Sequence, residues 1–127
     1  MKFAAFQNPA VFDLLNRLFV AQVPVKVAYK LSKIQKAVTV ESERYQDLRM
    51  KIVSKFGTKD ENGELIVDEA GNAKIEDAAL NDLIEEMKEL HDIDVTLENK
   101  IKLDDLEKVD LSATDLSILE MLDILEE

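Results

Sequence analysis

One stretch of the sequence has the residue types and spacing of a calcium-binding loop. Counting Gly63 as position six of an EF-hand loop places three residues at ligand positions three, five and twelve. These residues are Asp60, Asn62 and Glu69. Position one, however, is Thr58 where an aspartate is expected, and Asp, Asn and Gly are also the common residues of tight turns. We therefore expect a tight turn here and keep Asp60, Asn62 and Glu69 as weak candidates for calcium ligands.

The single histidine, His91, is the other residue whose surroundings could support chemistry. It is followed by Asp92 and then by Asp94, and a His–Asp pair can transfer protons if a nucleophile lies nearby. The sequence has no cysteine, no serine in a recognisable nucleophile turn, and no glycines with the spacing of a phosphate-binding loop. We therefore predict that the protein is not an enzyme and binds no cofactor, and that His91 interacts with the last carbonyls of a helix.

Lysines recur at helical spacing in the first half of the chain. Lys26, Lys30 and Lys33 fall at i, i+4 and i+7, and Lys36 lies near the edge of the same stripe. Such a stripe suits an acidic partner or nucleic acid, but no arginine or aromatic cluster accompanies it for contacts with bases. We expect a solvated helix face, or one that the acidic half of the same chain neutralises, and we do not expect direct binding of nucleic acid.

The charge of the chain is divided unequally along its length. Residues 1–56 hold ten basic and four acidic residues, a net charge of +6, whereas residues 57–127 hold six basic and 23 acidic residues, a net charge of −17. The total of −11 argues against a general binder of nucleic acid or of anionic membranes. The division predicts that the acidic half folds back along the basic half. If the acids instead share one exposed surface, they could imitate the phosphates of DNA.

A helix with a long seam, apolar except for Glu41, is predicted over residues 25–56. The seam keeps a 3.5-residue repeat for about four heptads, and it comprises Val27, Leu31, Ile34, Val38, Glu41, Tyr45, Leu48 and Ile52. We expect Gly57 to end this helix in a left-handed conformation. Because the helix predicted over residues 77–91 is shorter, we expect the uncovered part of the seam, from Val27 to Val38, to be an interface.

The remaining elements complete a mainly α fold with a small β component (α+β), in one domain over residues 1–127. An N-terminal helix is predicted over residues 8–22, a β-hairpin over 58–76, a short hairpin over 93–103 and a C-terminal helix over 112–126. The helices at 25–56 and 77–91 would form a long antiparallel hairpin, with the β-hairpin at its tip. We detect no internal repeat, secretory signal or membrane span. In the C-terminal helix, Ile118 and Met121 widen the apolar stripe.

Several segments together resemble one family of proteins. They are the entry to the long helix at Val23–Leu31, the turn segments Phe56–Gly63 and Val67–Asn72, and the segment Ile101–Leu106 before an acidic, leucine-rich tail. With these segments the chain resembles a family of small, functionally uncharacterised proteins of tailed bacteriophages and prophages of Gram-positive bacteria. The resemblance implies a phage origin, a place in the host cytoplasm or the virion, and a role through protein contacts. It carries no activity, so it assigns no catalytic residue.

These observations lead to two functional hypotheses. The first is a non-enzymatic phage protein that binds another protein of phage or host, or a second copy of itself, as an accessory of virion assembly or an adaptor. Its interface candidates are Val27, Leu31, Ile34, Val38, Lys26, Lys30, Lys33, Ile118 and Met121. The alternative is an acidic inhibitor of a host defence or DNA-handling protein that acts as a DNA mimic.

Overall fold

Four α-helices and a two-stranded sheet form the regular structure of residues 1–126, the part of the chain that this computed structural model describes. The helices are α1 (Pro9–Phe19), α2 (Val25–Phe56), α3 (Asp77–His91) and α4 (Ala113–Met121). The strands are β1 (Ile101–Lys102) and β2 (Leu125–Glu126), and 3₁₀ turns lie at Phe3–Gln7 and Leu103–Leu106. The fold is therefore mainly helical, and its small sheet is parallel.

Local sequence signals explain where the first two helices begin and end. The side chain of Asn8 caps α1 by accepting a hydrogen bond from the backbone N–H of Ala10, at 3.0 Å. Pro9 occupies the first helical position, where its missing N–H has no intrahelical partner to lose. Pro24 precedes α2, whose bounds are the same as those predicted for the long helix.

The core covers the N-terminal half of the α2 seam. Val27, Leu31, Ile34 and Val38 are 8%, 3%, 1% and 6% exposed, and they belong to one apolar cluster. The prediction of an interface from Val27 to Val38 is therefore wrong. Periodicity shows that a seam must be covered but not which segment covers it. The covering side chains come from both ends of the chain: Phe3, Phe6, Leu14, Leu18, Leu97, Ile101, Leu119 and Ile124.

The core does not extend along the whole length of α2 and α3. At its edge, the Tyr45 hydroxyl lies 3.0 Å from Nε2 of His91, within hydrogen-bonding distance. No residue from Gln46 to Glu89, all of which are described, is fully buried. We call this stretch the arm. Leu48 and Ile52 are half-buried within it, and Lys55 forms an ion pair with Glu86.

The end of the arm, residues 57–76, forms no regular strand where a β-hairpin was predicted. It contains three isolated antiparallel bridges, which join Gly57 to Ile75, Lys59 to Leu65 and Val67 to Ala73. Three further backbone hydrogen bonds close a ring among residues eight positions apart. The N–H of Thr58 donates to Lys74 at 2.8 Å, that of Ile66 to Thr58 at 2.9 Å, and that of Lys74 to Ile66 at 2.8 Å.

Two similar turns separate the members of this ring. In the first, Oδ1 of Asp60 accepts hydrogen bonds from two backbone N–H groups, and Oδ1 of Asp68 does the same in the second. Gly63 and Gly71 follow at the same spacing, with φ of 80° and 83°, a conformation that glycine adopts without steric cost. The prediction of no internal repeat is therefore wrong here, because the pattern Asp-Glu-x-Gly recurs after eight residues.

Gly57 ends α2, but its backbone is not left-handed as predicted. Its φ is −70°, so glycine is favoured here because a side chain would have no room. A Cβ at this position would meet the side chain of Leu65 and lie 2.9 Å from the carbonyl oxygen of Val53.

The predicted hairpin at 93–103 is wrong, because each of its halves pairs with a distant part of the chain. The backbone N–H of Val95 donates to the carbonyl of Met1 at 2.6 Å, and Lys2 bridges to Asp94. Strand β1 instead pairs in parallel with β2 at the other end of the chain. Both pairings join segments too far apart in sequence for a local turn signal to indicate them.

The C-terminal helix was predicted to reach residue 126, but α4 ends at Met121. The chain reverses at Asp123, whose φ is 57°. This turn places Ile124 in the core, fully buried, and brings Leu125 alongside β1. Lys100 holds the turn by donating to the Asp123 carbonyl at 2.8 Å.

The burial of Ile34 leads to a stability prediction. Ile34→Ala leaves a cavity in the core, so we expect the free energy of unfolding to fall by about 2–5 kcal/mol. Val25→Ala, on the exposed side of the same helix, should change it by no more than about 0.5 kcal/mol. Urea denaturation followed by circular dichroism measures both variants. Equal losses for the two variants would contradict this assignment of the core.

Candidate functional site

The outward side of α2 combines exposed apolar residues with lysines. Val25, Tyr29 and Val40 fall on one side of the helix, opposite the seam, and they are 82%, 63% and 52% exposed. Lys33 and Lys36 lie between them at helical spacing. Together with Lys26, these residues form what we call the basic face: Val25, Lys26, Tyr29, Lys33, Lys36 and Val40.

The charge of the basic face is not neutralised within the described chain. The sequence has no acidic residue from Leu14 to Val40. Within residues 1–126, none of Lys26, Lys33 and Lys36 forms an ion pair. Nζ of Lys33 lies 4.7 Å from the centre of the Tyr29 ring, a distance at which the cation is attracted to the ring face. The face therefore offers an exposed aromatic ring beside lysines that form no ion pair within residues 1–126.

Lys30, predicted as part of the same stripe, has a different role. Its Nζ lies 2.9 Å from Oδ2 of Asp105, which belongs to the acidic half of the chain. The hydrogen bond from Lys30, with a second from the backbone N–H of Lys102, lowers the pKa of Asp105 from its ordinary value. The acidic half thus neutralises one lysine of the stripe and leaves its outward members free to meet a partner.

A groove of about 490 Å³ lies beside the basic face. One wall comes from α2 and comprises Lys33, Lys36, Ala37, Val40 and Glu41, and the other is formed by residues 96–99, which include the acid Glu98. Leu97 in the second wall is part of the buried core, so the groove has a firm base.

Other ion pairs attach the acidic half to the basic half. The guanidinium of Arg17 in α1 donates to both carboxylate oxygens of Asp115 in α4, at 2.8 and 3.1 Å. Asp115 also forms a capping box with Ser112 at the start of α4. These hydrogen bonds, that of Arg17 above all, lower the pKa of Asp115 to about 2. Lys2 pairs with Asp92 at 2.7 Å and joins the N-terminus to the end of α3.

The residues predicted to do chemistry do not meet in the structure. Oδ1 of Asp60, a weak calcium candidate with Asn62 and Glu69, is occupied by hydrogen bonds within its own turn. In residues 1–126, no group of three or more His, Asp or Glu side chains is placed to hold a metal ion. His91, predicted to interact with the last carbonyls of a helix, instead contacts the Tyr45 hydroxyl, and Asp92, the acid of the alternative His–Asp pair, pairs with Lys2.

The remaining interface candidates differ in exposure. Ile118 is half-buried against the core, whereas about half of Met121 is exposed. The sequence predicted only the lysines of the basic face, and the prediction did not include Val25, Tyr29 and Val40. The sequence pattern did indicate them, because apolar residues at helical spacing on the side opposite the seam cannot pack into the same core.

Comparisons with known proteins do not assign this chain to a group. No family model, curated protein or solved structure matches it. None of the helices in residues 1–126 is both long enough and apolar enough to cross a membrane. The geometry of the basic face is therefore the guide to function.

The lowered pKa of Asp115 predicts how stability depends on pH. Because the folded pKa of about 2 lies below the ordinary 3.8, ionised Asp115 stabilises the fold at neutral pH, and this contribution is lost as the pH falls from about 4 to about 2. Asp115→Asn should therefore unfold at lower urea concentration than the wild type at pH 7, with the difference shrinking in acid. The exposed acid Asp110 supplies the control variant, Asp110→Asn. A difference between Asp115→Asn and wild type that stays constant down to pH 2 would contradict this role.

Proposed function

We propose that this protein has no enzymatic activity and acts by binding the acidic surface of another protein through the basic face. The observation that carries the proposal is the exposure of Val25, Tyr29 and Val40 among lysines that lack ion pairs in the described chain. Apolar side chains this exposed on an ordered helix gain free energy when a partner covers them. The lysines around them would select a partner of opposite charge.

The composition of the basic face fits a protein partner better than a nucleic acid. Tyrosine is enriched at the energetic centres of protein interfaces, where its ring is buried and its hydroxyl finds a hydrogen-bond partner. Lysines at the rim of an interface speed association with an acidic surface. Arginine, which reads base edges, is absent from the face, and the net charge of −11 would repel a nucleic acid at longer range.

We also propose how α2 and α3 are arranged relative to each other. Tyr45 contacts His91 near the core, and Lys55 contacts Glu86 farther along the arm. Residue numbers therefore rise along α2 as they fall along α3, which supports an antiparallel helical hairpin with residues 57–76 at its tip. In this arrangement the basic face lies over the core, where the helix is rigid, and the arm extends away from it.

The resemblance to small phage proteins supports a more specific role. We propose that the protein is an accessory of virion assembly or an adaptor, placed in the host cytoplasm or the virion. The motifs that carry the resemblance are the entry to α2 and the turns of residues 57–76. A phage protein with an ordered docking face and no reaction centre suits a role in assembling other proteins.

A DNA mimic remains the second candidate, and one observation favours it. Asp82, Glu85 and Glu89 of α3 are exposed, and none of them forms an ion pair within residues 1–126. Against it, Asp105 and Asp115 each lie beside a basic residue of the first half. The unpaired acids cover about two helical turns, which is short for imitating a DNA backbone.

The basic face is tested by capture of partners from extracts of phage-infected cells. The immobilised chain is compared with the variant Tyr29→Ala/Lys33→Glu/Lys36→Glu, and bound proteins are identified by mass spectrometry. We expect at least one acidic protein to bind the wild type and to bind the variant about tenfold more weakly or worse, because an aromatic anchor and two charges are lost. The free energy of unfolding should change by no more than about 0.5 kcal/mol, since these side chains are exposed.

A control separates the basic face from charge in general. Lys59→Glu/Lys108→Glu carries the same change of charge at exposed positions elsewhere and should bind like the wild type. Equal capture by all three proteins would refute the basic face as the docking site. Capture of a DNA-handling enzyme that duplex DNA displaces, and that Asp82→Asn/Glu85→Gln/Glu89→Gln abolishes, would establish mimicry instead.

A further inference from the structure

We propose that the groove beside the basic face binds an extended, acidic peptide segment, which pairs as an added strand with the backbone of residues 96–100. This inference rests on the proposed function, because it names the part of the partner that enters beside the basic face. Two features of the groove support it. One wall carries backbone groups without partners, and the other wall carries lysines without ion pairs in the described chain.

Residues 94–102 have the burial pattern of one extended strand. Val95, Leu97 and Ile101 are 6%, 4% and 0% exposed, and Asn99 between them is half-buried. The even-numbered positions are exposed, except for Lys100, which is half-buried. A period of two is that of a β-strand, whose side chains point alternately to opposite faces. The backbone therefore runs extended from residue 94 into β1.

The two ends of this extended segment are paired, and its middle is not. The N–H of Val95 donates to the Met1 carbonyl at 2.6 Å, and its C=O accepts from the Met1 amino group at 3.0 Å. The N–H of Ile101 donates to the carbonyl of Ile124 at 2.8 Å. Within residues 1–126, residues 96–100 form no hydrogen bond with another backbone group. Such a row of unpaired groups is a template on which another chain can add as a strand.

Strand geometry determines which edge is open to a partner. The backbone groups of successive residues in an extended strand point to opposite edges. Val95 and Ile101, both odd-numbered, use the edge that faces Met1 and β2. The backbone groups of Thr96 and Glu98 therefore point to the other edge, and both residues line the groove. At about 3.3 Å per residue, residues 96–100 offer roughly 15 Å of this edge, enough for four to five residues of a peptide.

The α2 wall of the groove determines the charge of the peptide. Lys33 and Lys36 line this wall, and neither forms an ion pair within residues 1–126. The acid of the same wall, Glu41, is neutralised by Arg44, which lies 2.8 Å from it. The wall therefore has a net positive charge, and it attracts an acidic segment.

The opposite wall determines where the acids of the peptide lie. Glu98 is exposed on that wall and forms no ion pair within the described residues, so it repels acidic side chains towards α2. On α2, Ala37 is half-buried, whereas Lys33 and Lys36 are exposed. Because side chains alternate along a bound strand, every second one can contact Ala37 while the others stay beside the lysines. The occupant is thus a segment in which apolar and acidic residues alternate.

The charge preference is tested by fluorescence anisotropy with labelled peptides of eight residues, in which glutamate alternates with valine, leucine or phenylalanine. We expect saturable binding of at least one of them, and binding about tenfold weaker or worse when lysine replaces glutamate, because Lys33 and Lys36 repel the lysines. Lys33→Glu/Lys36→Glu should reverse this preference. No saturable binding of any glutamate peptide up to about 1 mM, or equal binding of the lysine peptides, would overturn the proposal.

Proline substitutions test the added strand. Glu98→Pro removes an N–H group from the groove edge, whereas Asn99→Pro removes one from the opposite edge. We expect Glu98→Pro to bind the glutamate peptide about tenfold more weakly or worse, and Asn99→Pro to bind it within about threefold of the wild type. Glu98→Ala, which loses the carboxylate but keeps the N–H, should bind no more weakly than the wild type. Circular dichroism establishes that each variant keeps its helices. Equal binding by Glu98→Pro and Asn99→Pro would refute strand addition.

Amide exchange measures the same pairing in the unchanged chain. With the peptide bound, the amide protons of Thr96 and Glu98 should exchange with water about tenfold more slowly, while those of Leu97 and Asn99 keep their rates. Equal protection at both edges, or protection at neither, would overturn the proposal.

Failure of this inference and failure of the proposed function are distinguishable. Capture of an acidic protein through the basic face, with no glutamate peptide bound in the groove, would uphold the proposed function and refute the added strand. Binding of the glutamate peptides at Thr96 and Glu98 without capture of any acidic protein would do the reverse.

Discussion

The long helix α2 extends well beyond the core that covers its apolar seam, and this limit sets the role of each part of the molecule. From Val27 to Tyr45 the seam is buried by segments from both ends of the chain. This stretch is rigid, so the residues on its outward side keep a fixed spacing. Beyond Tyr45 the helix has only α3 as a partner, and burial becomes partial. One helix thus carries an exposed basic face over the core at one end and an incompletely buried layer at the other.

Electrostatics follows the same division. Arg17, Lys30 and Lys2 each meet an acid of the second half near the core, and these pairs attach the acidic half to the basic one. Charges farther from the core remain separated, with lysines on the outward side of α2 and acids along α3. The net charge of −11 is therefore the remainder of a partial neutralisation. The charge that remains is segregated, with basic residues on the outward side of α2 and acidic residues along α3.

Sequence reasoning succeeded where the signals were local. The bounds of α2 follow from a proline, a glycine and a heptad pattern that only Glu41 interrupts, and the start of the C-terminal helix was predicted within one residue of where α4 begins. It failed where contacts join distant residues, as in the pairing of β1 with β2 and the bonds between Met1 and Val95. The candidate site shows the same split. Its lysines were visible as a stripe, but only the fold shows that Lys30 is neutralised and Tyr29 is not covered.

The ring of hydrogen bonds among Thr58, Ile66 and Lys74 has a consequence for how the arm assembles. It holds the last residues of α2 and the first residues of α3 together, and all its contacts lie within twenty residues of chain. Closing a connection of this length costs conformational entropy. The two turns divide the connection into two short loops, and the hydrogen bonds that offset this cost lie within the tip itself. Contacts this local in sequence favour rapid closure of the tip during folding. A one-residue insertion in either turn would shift the eight-residue register and so break the ring of hydrogen bonds.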